Sequence, residues 1–143
     1  MRFMILVKAT KESEAGVPPS QELLQAMTAY NEQLVKAGVL LAADGLHPSS
    51  KGARVKFEGD RRSVIDGPFS ETKELIAGFW ILQVKSKEEA IEWVKRVPNP
   101  TGGPAEAYIE IRQIFEATEF QNLTPDLEKR FDEMRSQVER QRH

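Results

Sequence analysis

Apolar and polar positions alternate with two different periods along this chain, and the switches between them outline its elements. Arg2 to Lys8 carries the run Phe3-Met4-Ile5-Leu6-Val7, which predicts a strand covered on both faces. Residues 9–19 are polar, end in Pro18-Pro19 and read as a loop. Ser20 is a helix N-cap, because its hydroxyl can accept an unpaired backbone N–H of the first turn. Leu23, Met27, Tyr30 and Leu34 then recur at spacings of four, three and four, which predicts an amphipathic helix. Gly38 stands where that helix needs a left-handed residue to stop.

Val39 to Ala43 reads as a second short buried strand, and residues 44–52 as a loop. Arg54-Val55-Lys56-Phe57 alternates charged and apolar residues, as a half-solvated strand does. Gly59-Asp60 turns the chain and Ser63-Val64-Ile65 returns it, so this stretch predicts a hairpin. Gly78 to Val84 is a core strand. Ser86 with Glu89 three residues on forms a capping box, and Ala90, Ile91 and Val94 give the following helix a buried face. Pro98 ends that helix, and residues 98–104 form a loop. Glu106 to Ile114 is the last core strand, with Ala107, Ile109 and Ile111 on one face and Tyr108, Glu110 and Arg112 on the other. Thr124-Pro125 opens a final helix with the stripe Leu127, Phe131, Met134 and Val138.

Two strand-helix-strand units in tandem, with a hairpin inserted between them, match an α+β ferredoxin-like split βαβ plan: an antiparallel sheet with both helices on one face. That plan leaves the other face bare, while the strands are apolar on much of both faces. The sequence therefore predicts a cover for it, most simply the sheet of a second subunit in a symmetric homodimer. Residues 1–115 form the expected domain, and 116–143 a C-terminal extension whose helix docks on a subunit surface.

Composition changes this picture only by exclusion. The 143 residues suffice for one core, and 40% hydrophobic with 29% charged residues is ordinary for a globular chain. Net charge is −2 with Lys and Arg dispersed, which gives no nucleic-acid footprint. The absence of cysteine excludes disulfides, thiolate catalysis and cysteine-ligated metal. No apolar run approaches the ~20 residues of a membrane span, and the N-terminal run is too short for a signal peptide, so the expected location is cytoplasmic with no membrane partner. His47 and His143 are the two histidines, too few and too far apart in the chain for a two-histidine metal site, and no Gly-rich phosphate loop or nucleophile elbow is present. No metal or cofactor is expected.

One segment carries more than fold. Asp66-Gly67-Pro68-Phe69 is followed by Glu71, Lys73-Glu74 and the Gly78-Phe79 strand; Glu88 to Trp93 forms a helix, and Glu110-Ile111-Arg112 lies on the last strand. In this order and spacing the chain, from residue 1 to about 115, resembles the YCII-related family in its DGPF branch. The resemblance implies a dimeric α+β barrel of ferredoxin-like subunits with a proposed His/Asp acid-base pair in a cleft. Activity is unknown for most members. Relatives are often encoded with or fused to extracytoplasmic-function sigma factors, which implies a regulatory role as an alternative.

Geometry then selects candidates. The two ends of a 53–58/61–65 hairpin lie ~5 Å apart, so Gly52 and Asp66 become neighbours, and His47 is five residues before Gly52. An aspartate bonded to one imidazole nitrogen fixes the tautomer and lets the other nitrogen move protons. His47 and Asp66 are the candidate catalytic pair. The bland alternatives stay open: His47 as an exposed loop residue before Pro48, and Asp66 as a turn carboxylate accepting backbone N–H groups. Phe69 is a core or cleft-wall plug, and Glu71 and Lys73 either line the cleft or form a solvated charge run. Glu110 and Arg112 either pair with each other or bind a polar or anionic ligand; Phe69, Glu71, Lys73, Glu110 and Arg112 are the candidate ligand contacts. Trp80 and Trp93 read as core. Two functions follow: a small acid-base enzyme of lyase or isomerase type acting on a small polar organic molecule, or a non-catalytic small-molecule-binding or regulatory dimer. A third account makes the motif a purely structural part of a dimer interface.

Overall fold

The computed structural model describes residues 1–142 and divides into two compact units, Met1–Gln113 and a second beginning at Ile114. In the first unit, β1 (Arg2–Lys8), β2 (Leu40–Gly45), β5 (Ile76–Gln83) and β6 (Ile109–Gln113) form a four-stranded sheet in the order β2-β5-β1-β6. The neighbours β1/β5, β1/β6 and β2/β5 are all antiparallel. Between β1 and β2 lie α1 (Lys11–Glu14) and α2 (Gln21–Lys36); α3 (Lys87–Val94) joins β5 to β6. Each strand-helix-strand unit is therefore split by a strand of the other, as the ferredoxin-like plan requires. The hairpin β3 (Ala53–Glu58) and β4 (Arg61–Asp66) forms its own two-stranded sheet.

The core sits on one face of the larger sheet. Phe3 and Ile5 of β1, Trp80 and Leu82 of β5, Tyr30 and Leu34 of α2 and Ala90 of α3 are buried together. Phe3, Ile5, Leu34 and Leu82 are each no more than 1% exposed, so each stabilises the fold by about 1.5–3 kcal/mol through burial. Tyr30 ties the layers: its ring meets Trp80 edge-on at 5.6 Å and its hydroxyl donates to the Trp93 carbonyl at 2.8 Å. Burial pushes the Tyr30 phenol up to about 12, against a smaller opposing effect of the Arg96 charge.

The caps follow the sequence. Ser20 accepts the Leu23 N–H at 3.1 Å, and Thr124 accepts that of Leu127 to start α4 (Pro125–Gln141) in the second unit. Gly38 follows the end of α2 with φ +74°, a conformation costly for any residue with a Cβ. No helix among the described residues is long and apolar enough to cross a membrane.

Some local expectations change. The 9–19 loop contains the single turn α1, held because Thr10 and Ser13 cap each other reciprocally. β2 starts at Leu40 rather than Val39 and runs on to Gly45, because Leu40–Gly45 continues the ladder with β5 across a bulge. β6 starts at Ile109 rather than Glu106, since Lys8 reaches back only as far as the Tyr108 carbonyl. In the Ser86 cap, the Glu89 carboxylate takes the Lys85 N–H rather than that of Ser86. β1 is not buried on both faces: Phe3 and Ile5 are buried while Met4 and Leu6 are half-buried, because both helices pack on one side.

Candidate functional site

The hairpin register pairs Ala53 with Asp66, and the Gly67 N–H donates to the Gly52 carbonyl at 3.1 Å. The expected closure of the hairpin ends is therefore present. The Gly67-Pro68 peptide is cis. Immediately beyond, the turn is fastened to the loop after His47. The Phe69 N–H donates to Ser49 Oγ at 3.0 Å; Ser49 Oγ in turn donates to Glu14 Oε1, and the Ser49 N–H donates to Glu14 Oε2 at 3.0 Å. A Cβ built on Gly67 would lie 1.7 Å from the Ser49 carbonyl oxygen, so only glycine permits this approach. The Arg54 guanidinium lies 3.8 Å above the half-buried Phe69 ring.

His47 is fixed on both sides by these contacts. Before it, the Leu46 N–H donates to the Ala77 carbonyl at 2.8 Å; after it come Pro48 and the anchored Ser49. The imidazole is exposed and lines a groove of about 1160 Å³. The groove lies between the 12–20 segment, the first half of α2, the facing ends of β2 and β5, and the 100–105 loop. Its walls are largely apolar, with Leu23, Met27 and Trp80 prominent. Among charged side chains it has Glu12 and Asp44 and no lysine or arginine.

The other candidates fall elsewhere. Asp66, Phe69, Glu71, Lys73, Glu110 and Arg112 do not line this groove. Asp66 is exposed at the end of β4, and among the described residues its carboxylate and the His47 imidazole have neither a mutual hydrogen bond nor another side-chain partner. Glu71 and Lys73 are exposed around the short turn Thr72–Glu74. Glu110 and Arg112 lie together on the sheet face opposite the helices: Arg112 contacts Glu110 at 3.3 Å, and Lys8 reaches its other carboxylate oxygen at 3.4 Å. The Arg112 hydrogen bond, aided by Lys8, holds the Glu110 carboxyl below its usual range. His143 lies outside the described residues, and among those described no group of three acidic or histidine side chains can hold a metal.

A family model for the YCII-related domain matches residues 1–118. The chain belongs to the YCII-related family. An uncharacterised protein, R00369 of Rhizobium meliloti (strain 1021), is 28% identical over 94 residues, which span 66% of this chain and 74% of that relative. Among solved structures, the 5-chloro-2-hydroxyhydroquinone dehydrochlorinase TftG of Burkholderia phenoliruptrix AC1100, in complex with 2,5-dihydroxybenzoquinone, aligns with 84% of this chain and all of its own. It does so at 19% identity and a TM-score of 0.42, a superposition too loose to bear on chemistry.

Residues that sequence reading passed over do much of the building in this YCII-related chain. Glu14 belongs to the polar 9–19 stretch that predicts a loop, and its carboxylate holds the Ser49 turn. Lys8 completes the Glu110 cluster. Asn31, on the polar shoulder of α2, receives the Trp80 indole N–H at 2.7 Å. The available signal for Asn31 was its position one residue after the buried Tyr30, on a helix flank that a tryptophan can reach.

Proposed function

We propose that the groove beside α2 binds a small organic molecule and that His47 is its proton-transfer group, which makes this protein an acid-base enzyme of lyase or isomerase type acting in the cytoplasm. One observation supports this above the rest: the sole imidazole among the described residues stands on the wall of a groove of about 1160 Å³, between Leu46, bonded to the Ala77 carbonyl, and Ser49, bonded to the Glu14 carboxylate. A base held in this way loses little freedom on meeting substrate, and imidazole is the side chain suited to moving protons near neutral pH. Asp66 belongs to the same joint and supports its shape.

The test is solvent deuterium exchange, followed by NMR, across a panel of small carbonyl and hydroxyl compounds. Wild-type protein is expected to exchange carbon-bound protons of at least one compound, and His47→Ala to lose about 10²-fold or more of that rate. Exchange that is unchanged in His47→Ala would contradict the proposal.

A second reading, a non-catalytic binding or regulatory protein, is favoured by one feature: no described carboxylate orients the His47 imidazole. Under it, ligands bind and no compound exchanges. In both readings the protein acts as a homodimer joined through the sheet face of Met4, Leu6, Phe79 and Ile81, which receives neither helix. Light scattering at twice the chain mass is the expected result; a monomer at micromolar concentration would exclude it.

A further inference from the structure

One side chain in the groove has its orientation dictated by its partner. Trp80 is 6% exposed, and its indole N–H donates to the Asn31 amide oxygen at 2.7 Å. An indole nitrogen only donates, so the atom facing it must be the oxygen. Turning the amide over would orphan a buried N–H. The Asn31 NH₂ is therefore the free end, without a hydrogen-bond partner among the described residues, and Asn31 lines the groove. Met27 and Leu23, one and two turns earlier on α2, continue the same wall. Glu12 and Asp44 line the groove and no lysine or arginine does, which disfavours an anion.

We infer that Asn31 is a specificity-determining residue: its NH₂ receives the carbonyl oxygen of a small neutral molecule whose apolar body lies along Leu23 and Met27. The inference rests on the groove being the ligand site. A fixed donor pair is satisfied by a carbonyl and left unpaired by a hydrocarbon of equal shape, and such a site discriminates through the unpaired group.

The probes are acetophenone and ethylbenzene, alike in size and differing in the acceptor, titrated into the full chain and followed by NMR. Acetophenone is expected to bind about 2- to 10-fold more tightly and to shift the Asn31 side-chain NH₂ signals. Asn31→Asp keeps an acceptor for Trp80 and removes the donors, so it should abolish the preference while the Trp80 indole signal stays in place. Asn31→Leu should abolish it too. Equal affinities for the two probes in wild type, with Leu23 and Met27 methyl shifts from both, would overturn the role of Asn31 and leave the groove as a binding site. A preference that survives Asn31→Asp would overturn it as well. No shift of these methyls with either probe up to its solubility would overturn the groove reading itself.

Discussion

The Asp66–Phe69 turn and the groove beside α2 are built by opposite means. The turn is conspicuous in sequence and packed backbone against backbone: Gly67 fits against the Ser49 carbonyl with no room for a Cβ, and Ser49 and Glu14 satisfy the surrounding N–H groups. The groove is inconspicuous in sequence and open, with walls from Leu23, Met27 and Trp80 that belong to ordinary core periodicity. His47 connects them, since the loop that the turn fastens is the one that presents the imidazole. A motif that stands out in a sequence can thus be a joint, while the groove proposed to bind ligand is lined by other residues.

The largest expected effect breaks the joint. Gly67→Ala places a methyl on a backbone oxygen that cannot move without the Ser49 turn, so it should cost at least about 3 kcal/mol, read as a fall in thermal midpoint. A variant as stable as wild type would show that the turn is not the fastening. Ser49→Ala is the milder version. It removes the acceptor of the Phe69 N–H and one partner of Glu14, and should cost about 1–2 kcal/mol in chemical denaturation. Probe binding in the groove should weaken with it, because the segment after His47 is then held by the Ser49 N–H bond to Glu14 without the hydroxyl contacts.

Tyr30 tests the core behind the groove, where its ring packs against Trp80. Its folded-state phenol is raised to about 12 from 10, so its contribution to stability is complete below pH 10 and is lost as pH rises from there through about 12. Tyr30→Phe removes the bond to the Trp93 carbonyl, at about 1 kcal/mol near neutrality, and should flatten the alkaline fall. The smallest effect belongs to the Glu110 cluster, exposed in the single chain and on the same sheet face as Met4 and Leu6, so it is read on protein diluted below dimer assembly. Glu110 is held below its usual range, so its stabilising effect is present above the ordinary carboxylate pKa and disappears as pH falls through the lowered folded value. Melting curves of wild type and Glu110→Gln should therefore converge in acid, and added salt should narrow their difference.

Much of the fold was legible because each element carried its own signal. The Leu23-Met27-Tyr30-Leu34 spacing, the Ser20 and Thr124 caps and the Gly59-Asp60 turn each depend on neighbours within a few residues. The split βαβ order followed from counting these elements, and the sheet order agrees with it. The hairpin was legible in register but not in burial. Its alternation suggested one covered face, yet every residue of β3 and β4 is exposed, because the strands pair only with each other.

The site was legible in part. Closure of the hairpin follows from strand spacing, and it brings the Asp66 turn to the loop after His47. The link runs through Ser49 and Glu14 rather than through an Asp66–His47 bond, and no local pattern marks a glutamate 35 residues from the serine it holds. The pairing of Glu110 with Arg112 was one of two accounts open from alternation alone, and the third member, Lys8, comes from a strand that only the register brings alongside. The Asn31–Trp80 bond spans 49 residues and depends on how α2 rotates over β5.

The most direct test of the central claim is the His47 imidazole signal in the NMR spectrum, assigned by comparison with His47→Ala and followed as acetophenone is added. Occupation of the groove should shift that signal in wild type and equally in Asp66→Asn. An imidazole signal that stays fixed while the Leu23 and Met27 methyls report a bound ligand would separate the histidine from the groove and contradict the account.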